Sequence, residues 1–303
     1  MDRVPISVLL PTMGWTEACQ EVADQLGPED ELLILCDSEN DPVASRSDLP
    51  DGVEIVVAGE PVGCSGKANA IDAGMERARN ERIVWTDDDF HHPSDWLDTL
   101  RADYDEHGPV SEVPYFVGRD PLATLLEPAY SMSGTFMTWL GDVAWGGAVV
   151  FERSDLDVEA FREDLRRTVS DDGTLGEHLD VTTLRRSRRV GMGGSFRETL
   201  ERHVRFIKLV EFHAPGLTVV NAVTAFGVAA ACLLAPLLSL FGLTAVVGAI
   251  QVAFGQRRWT AILAYPAMLL MPVLLVYAHV RQTFVWGGRR YRWREMFDVD
   301  IVE

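Results

Sequence analysis

Three carboxylates in a row, Asp87, Asp88 and Asp89, follow almost directly on the apolar residues Ile83, Val84 and Trp85. A short apolar run closed by acids reads as a buried strand that carries its acids to the edge of a sheet. In open α/β sheets that carboxyl edge is where ligands bind. Adjacent like charges repel, so the three acids need a cation or full solvation. An oxygen-only donor set suits Mg2+ or Mn2+ better than Zn2+, and Mg2+ takes one or two carboxylates beside substrate phosphates. Asp87 and Asp89, two apart, are the candidate metal pair. In so acidic a chain a solvated turn is the competing reading, and the neighbouring residues decide between them.

Other residues of chemical interest are scattered along the chain. Asp171 and Asp172 form a second acidic pair, which taken alone reads as a turn or helix cap. Gly63-Cys-Ser-Gly-Lys67 has the look of a phosphate loop, but position 61 is Pro and position 68 is Ala, which excludes the NTPase motif. Lys67 is then either a solvated first-turn residue or a cation aimed at a ligand phosphate. No G-x-G-x-x-G follows the first strand, against a dinucleotide-binding dehydrogenase. Trp145-Gly146-Gly147 leads into an apolar run. Two glycines there either let backbone approach a ligand closely or punctuate a turn. Arg202 and Arg205, three apart, share a helix face that Lys208 extends.

The elements that would position these groups follow from apolar spacing. Strands are expected at 4–10, 31–36, 53–58 and 83–85, with helices at 17–26 and 65–79 between them. Such alternation predicts an α/β fold, a mostly parallel sheet with helices on both faces. Strands one, two and four each end in a polar or acidic residue, so Thr12, Asp37, Asp87 and Asp89 fall along one rim. Residues 122–139 have helical apolar spacing, for which core packing is the default reading. Ser195-Phe-Arg-Glu198 reads as a capping box, with a basic amphipathic helix from Phe196 suited to a membrane face or a partner.

The chain has 303 residues with 46 Asp and Glu against 27 Lys and Arg. The acidic excess lies before Ala214, whereas beyond it Arg outnumbers acid. That balance argues against nucleic-acid binding, which needs a basic footprint, and fits a halophilic source in which salt screens self-repulsion. Cys19, Cys36, Cys64 and Cys232 have no metal or redox spacing, as suits a reducing compartment. The N-terminus is too polar for a signal peptide.

Residues 214–256 hold no Asp, Glu, Lys or Arg over 43 positions, roughly 65 Å of helix and twice a bilayer core. A hairpin of two helices is expected, with Pro236 and Gly242 offering the turn. A third uncharged run, 259–280, contains Pro266 and Pro272 and either crosses, re-enters or lies in the interface. Five Arg after Val280 favour the cytoplasmic side. The division expected is a cytoplasmic catalytic domain over 1–194, an amphipathic interfacial helix over 195–213, two or three membrane segments over 214–285, and a basic-then-acidic tail over 286–303. The implied location is the cell membrane, multi-pass.

In this order the pieces resemble the membrane-bound family 2 glycosyltransferases of the GT-A type, over nearly the whole chain, with the nearest look to the ceramide glucosyltransferase-like branch. The resemblance implies a divalent metal, Mg2+ or Mn2+, on Asp87 and Asp89, at the diphosphate of a UDP- or GDP-sugar donor. It implies a nucleotide-sugar site that includes Thr12, Asp37, Lys67, Asp87 and Asp88, and an acceptor-side loop at Trp145, Gly146 and Gly147. From Asp171-Asp172 it implies that Asp172 is the general base. Arg202-His-Val-Arg205-Phe206 is similar to the family's Arg-x-x-Arg-Trp, with Phe for Trp, and implies roles for Arg202 and Arg205 at the reacting oxygens. Trp286-Gly-Gly-Arg-Arg-Tyr291 is similar to the branch's closing Trp-Arg-Gly-Arg-x-Tyr, with Gly287 where that motif has Arg. The branch usually carries an N-terminal membrane helix, which this sequence does not show. The expected reaction is inverting sugar transfer to a lipid or lipid-linked acceptor. A polyprenyl-phosphate sugar transferase, a polysaccharide synthase and a non-enzymatic membrane-anchored nucleotide-sugar binder are the alternatives.

Overall fold

The computed structural model describes residues 3–302; Met1, Asp2 and Glu303, at the outer ends of the first and last expected segments, lie outside the described residues. Contacts divide the chain into two units, each discontinuous in sequence. One holds Met1–Val113, Gly141–Leu184 and Phe297–Ile301, and the other holds Pro114–Leu140, Arg185–Met296 and the end of the chain.

The first unit begins as the alternation predicts. β1 (Ile6–Pro11), α1 (Glu17–Ala23), β2 (Glu31–Cys36), β3 (Val53–Val57), α2 (Gly66–Arg77) and β4 (Arg82–Thr86) follow in turn. β1 pairs in parallel with β2 and β4, and β2 with β3. These strands are apolar on both faces because helices cover both. Then come α3 (Trp96–His107), β5 (Val110–Gly118), α4 (Pro121–Tyr130), α5 (Met137–Leu140), β6 (Ala148–Glu152), α6 (Val158–Leu165), α7 (Asp171–His178) and β7 (Thr182–Met192). The full sheet has seven strands in the order β3-β2-β1-β4-β6-β5-β7.

The sheet is mostly parallel, as the sequence suggested, with β6 as a reversed strand within it. β6 runs antiparallel to both β4 and β5. The β4–β6 register pairs Thr86 with Ala148 and Trp85 with Val149. The first residue of β6 therefore lies opposite the last residue of β4, and the Gly146-Gly147 turn enters the sheet where Asp87 leaves it. Trp85 anchors this junction from below. It is fully buried, edge-on to Phe151 and stacked on Phe161, with ring centroids 5.6 and 5.8 Å away. Burying side chains of this size contributes about 1.5–3 kcal/mol each.

In the second unit the helical stripe at 122–139 is not one helix. α4 gives way at Ser131–Phe136 to a π-helical turn before α5. Ser131 and Ser133 hydroxyls donate back to the carbonyls of Glu127 and Ala129, the back-bonding that loosens an α-helix. A Cβ at Gly134 would sit 2.7 Å from the Phe116 ring, so the turn packs tightly where a larger residue would not fit.

α8 (Phe196–His213) starts where expected, with the Ser195 hydroxyl accepting from the Glu198 N–H. α9 (Pro215–Leu234), α10 (Pro236–Ala253) and α11 (Ala264–Val280) follow. Pro215–Leu234, Pro236–Ala253 and Trp259–Val280 are each long and apolar enough to cross a membrane. The turn between the first two falls at Ala235, not at Gly242, which lies inside α10; Pro236 takes the first helical position, where its missing N–H costs nothing. Pro272 does not break α11, which runs continuously after a short 3-10 turn at Trp259–Leu263.

These apolar helices are fastened to the rest of their unit. Ala129 of α4, Cys232 of α9 and Met268 of α11 pack together. Ser187 of β7 donates to the Phe254 carbonyl and Arg189 to Gln256. Glu127, fully buried on α4, is saturated: Arg258 grips both its oxygens at 2.7 and 2.8 Å, Thr260 donates at 2.6 Å and the Gly118 N–H at 2.8 Å. Just past the end of α11, Arg281 meets the buried Glu201 of α8 at 3.3 Å.

The closing segment is folded. β8 (Thr283–Trp286) and β9 (Arg289–Glu295) form an antiparallel hairpin, and β10 (Asp298–Val302) ends the chain. Gly287 and Gly288 have φ of 54° and 77°. A two-residue hairpin of the favoured twist needs positive φ at both positions, so Gly287, where the resembled motif has Arg, is what this turn requires.

Candidate functional site

The acids of the first unit are built on four strand and helix ends. β1 is followed at once by Thr12, whose N–H donates to the Leu35 carbonyl and whose hydroxyl donates to Asp88 Oδ2. Asp88 is therefore turned back onto the sheet edge, and burial raises its carboxyl above the usual range. The chain beyond the acids is pinned by contacts the sequence analysis did not single out. His92 is buried, its Nε2 is 2.6 Å from the Thr86 hydroxyl, and its ring packs on Phe90 and Trp96. Glu21 of α1 accepts from the His92 N–H at 2.8 Å. A His-His step two residues after an acid run was the available signal.

Lys67 is not a solvated first-turn residue. Its ammonium lies 2.7 Å from Asp87 Oδ1 and 3.1 Å from Asp171 Oδ2. Asp171 is 2% exposed. Burial lifts its pKa to about 6 against the pull of Lys67, and the neighbouring Asp172 adds to the lift. The two carboxylates hold the Lys67 proton more tightly than usual despite its burial. Ser65 sets this geometry: it caps α2 by accepting from the Ala68 N–H, donates its hydroxyl to the Val169 carbonyl and bonds the Thr168 carbonyl through its N–H. The loop before Asp171 is thus stitched to the helix that carries Lys67.

Asp172 is half-buried in the first turn of α7. Its Oδ1 accepts from the Ser170 hydroxyl at 2.6 Å and the Gly173 N–H at 2.9 Å. The pair, read from sequence as a turn or helix cap, opens a helix whose N–H groups favour negative charge.

The glycine turn closes the constellation. A Cβ at Gly146 would lie 2.8 Å from Asp171 Oδ2 and 3.3 Å from Asp172 Cβ; one at Gly147 would lie 2.9 Å from Asp87 Oδ2 and 2.2 Å from the Trp145 ring. Trp145 is held by its N–H to the Ser111 hydroxyl and by Phe90, 5.4 Å between centroids. Both glycines are there for close approach to the acids. Gly147→Ala should lower turnover by at least 10-fold and cost about 1–3 kcal/mol, the scale of overpacking a tight site. Turnover and a melting curve of the variant against the parent check this.

Asp37 follows β2 on the same rim, its N–H donating to Asp41 Oδ2 at 3.0 Å. Trp15, beyond β1, lies under the Arg46 guanidinium at 4.0 Å. Asp41, Trp15 and Arg46 were not marked by the sequence reading.

A divalent metal is compatible with these residues. The donors are carboxylates only, Asp89 Oδ1 is buried, and the Gly147 position leaves Asp87 Oδ2 uncovered by a side chain. Among the described residues no cluster of three ligating side chains forms. Asp87 and Asp89 would hold the ion and leave the remaining positions to phosphate and water, the arrangement Mg2+ commonly takes.

Arg202 and Arg205 lie in the second unit. Arg202 donates to the Gly191 carbonyl at 3.2 Å, and the Arg205 guanidinium sits 4.0 Å over the Trp286 ring. Phe206, in place of the motif's Trp, packs against Phe116 and Tyr130. The two sequence motifs of this unit therefore meet at Arg205 and Trp286. His203, between the two arginines in sequence, is buried with its Nδ1 2.9 Å from the Tyr130 hydroxyl, and burial depresses its pKa to about 4.

Comparison with solved structures returns glucosyl-3-phosphoglycerate synthase from Mycobacterium tuberculosis in complex with phosphoglyceric acid, at 14% identity and a TM-score of 0.41 over 69% of this chain and 80% of that one. The same enzyme in complex with Mn2+, uridine-diphosphate and glucosyl-3-phosphoglycerate aligns at 15% identity and 0.40, over 69% and 80%. Mannosyl-3-phosphoglycerate synthase from Rubrobacter xylanophilus aligns at 15% and 0.40, over 68% and 72%. Likeness at this level carries no argument about the present chain. No curated protein matches the sequence. The family model of glycosyl transferase family 21 matches residues 3–296. That match takes in both units and every acid, glycine and arginine described above: the chain belongs to glycosyl transferase family 21 and is a glycosyltransferase.

Proposed function

We propose that the chain is an inverting glycosyltransferase that moves a sugar from a nucleotide-diphosphate sugar to a lipid or lipid-linked acceptor at a membrane face. The observation that carries this reading is the Lys67 ammonium between Asp87 and Asp171, with the Gly146-Gly147 turn against the same acids. Asp87 and Asp89 hold the divalent metal. Bound there, Mg2+ or Mn2+ supplies the charge that a departing diphosphate needs. Lys67 bridges Asp87 and Asp171 and adds a fixed cation at the donor. Thr12 and Asp88 fix the edge on which the donor lies, and Asp37 stands on the rim for the nucleoside. Asp172 accepts the proton of the acceptor hydroxyl as it attacks the anomeric carbon. Its Oδ1 is held by Ser170 and Gly173, so Oδ2 is the atom that takes the proton. One displacement inverts that carbon. Trp145, Gly146 and Gly147 border the acceptor, and the family resemblance is what gives Arg202 and Arg205 a charge-supplying role.

The three apolar helices support the lipid acceptor, since a water-soluble acceptor needs no such anchor. The ceramide glucosyltransferase-like branch is the finer assignment, and Trp286 under Arg205 favours it. The multi-pass reading places the first unit on the cytoplasmic face, the side favoured by the Arg-rich segment after Val280.

The test uses full-length protein with a lipid extract, UDP- and GDP-sugars, and Mg2+ or Mn2+. Release of nucleoside diphosphate should require metal, and sugar should move into the lipid phase. Asp89→Asn should abolish turnover and weaken metal-dependent donor binding. Unchanged binding and rate in that variant would remove the metal from Asp89. Sugar recovered only in water-soluble products would remove the lipid acceptor.

A further inference from the structure

A cavity of about 570 Å3 opens in the second unit where the start of α8, the end of α11 and β9 meet. Three guanidiniums line it: Arg197, Arg281 and Arg290. One carboxylate, Glu201, faces them, and it is already engaged. It accepts from Arg281 at 3.3 Å and from the Val285 N–H at 3.0 Å, with Arg197 at 3.9 Å. The wall thus carries an excess of positive charge in a chain whose net charge is −19. Arg281 is held in place from the other side by the Tyr277 hydroxyl at 3.1 Å, and Arg290 by the Thr283 hydroxyl at 3.3 Å.

The rest of the wall is apolar, from Phe196, Leu200 and the Tyr277 ring. The helix that gives the cavity Tyr277 also carries an apolar track. Val273, Val276 and Val280 lie three and four residues apart on α11, flank Tyr277, and are 63%, 54% and 74% exposed. Cationic wall, apolar wall and an exposed valine stripe leading away describe a ligand with an anionic head and a hydrocarbon chain. Guanidinium groups match phosphate by charge-assisted, often bidentate hydrogen bonds. We propose that this cavity binds the phosphate head of an anionic membrane lipid, with its chain laid along the valine stripe of α11. The assignment rests on the second unit alone and does not depend on the proposed sugar transfer.

The test needs no donor and no turnover. Full-length protein is placed in nanodiscs of phosphatidylcholine with increasing phosphatidic acid, and the shift in Tm gives an apparent affinity. The parent should be stabilised in a saturable way. Arg197→Gln/Arg290→Gln removes two of the three cations while leaving the Arg281–Glu201 pair, and should weaken the apparent affinity by roughly 10-fold or more, as expected for lost charge-assisted bonds. Arg257→Gln/Arg294→Gln removes equal charge outside the cavity and should leave the affinity within about two-fold. Inorganic phosphate added to protein in neutral detergent separates head from chain. No stabilisation at concentrations matched to the lipid supports a lipid site, whereas an equal shift overturns the lipid assignment in favour of free phosphate. Equal losses in both double variants would show diffuse charge attraction and overturn the site. A double variant of the cavity that keeps the parent's affinity would overturn it as well.

Discussion

Asp172→Asn should cut turnover by about 10²-fold or more, the scale expected for loss of a general base, while donor binding stays within a few-fold. The reasoning rests on what each oxygen does. Asp172 Oδ1 accepts two hydrogen bonds inside the first turn of α7. An amide oxygen can keep those bonds, so the variant should fold and hold its place. It cannot take up a proton. Asp171 cannot substitute: it is buried and its Oδ2 is committed to Lys67. Single-turnover rates with donor affinity measured separately decide the matter. A collapse of donor affinity in Asp172→Asn would assign the residue to the donor site.

Glu127→Leu should be among the most destabilising single changes in the chain, at about 3–5 kcal/mol, the cost of stranding one partner of a buried ion pair. Glu127 is fully buried and accepts four hydrogen bonds from three residues: two from Arg258 and one each from Thr260 and Gly118. Removing the carboxylate strands the Arg258 guanidinium and the Gly118 N–H together. Arg258→Leu alone should cost a similar amount for the opposite reason, an unbalanced carboxylate. The double variant Glu127→Leu/Arg258→Leu should recover part of the sum, because a buried pair replaced by apolar side chains is often near neutral. Denaturation of the four proteins in one lipid environment gives the coupling energy directly. Additive losses would mean that Glu127 and Arg258 stabilise through other neighbours.

The parallel half of the sheet was readable because β1, β2 and β4 are continuous apolar runs, each closed by a polar residue. The antiparallel half was not. β6 is the apolar run Ala148–Phe151 with Glu152, and nothing in such a run states its direction. Direction came from pairing of Val149 with Trp85 and Val150 with Val84, far apart in the chain. The same limit applied to the site. Asp87, Asp89 and Asp172 stood out as acids at element ends, yet Lys67, which joins Asp87 to Asp171, had two readings until its distances were known. Glu127, Glu201 and His203 sit mid-helix, where an ionisable residue gives no sign of being buried. Their partners lie 131, 80 and 73 positions away. The Gly287-Gly288 hairpin, by contrast, was a local signal that could have been read.

The first unit is not finished by the first part of the chain. Phe297–Ile301 belongs to it, and the Phe297 ring lies 5.1 Å from the Arg167 guanidinium. During synthesis this last piece emerges only after α9, α10 and α11 have been made. At roughly 5–20 residues per second, the first unit waits several seconds for a segment translated after the apolar helices. The order of synthesis is therefore apolar helices first and completion of the acid-bearing unit second, so a chain cut short after α11 is left with that unit unfinished.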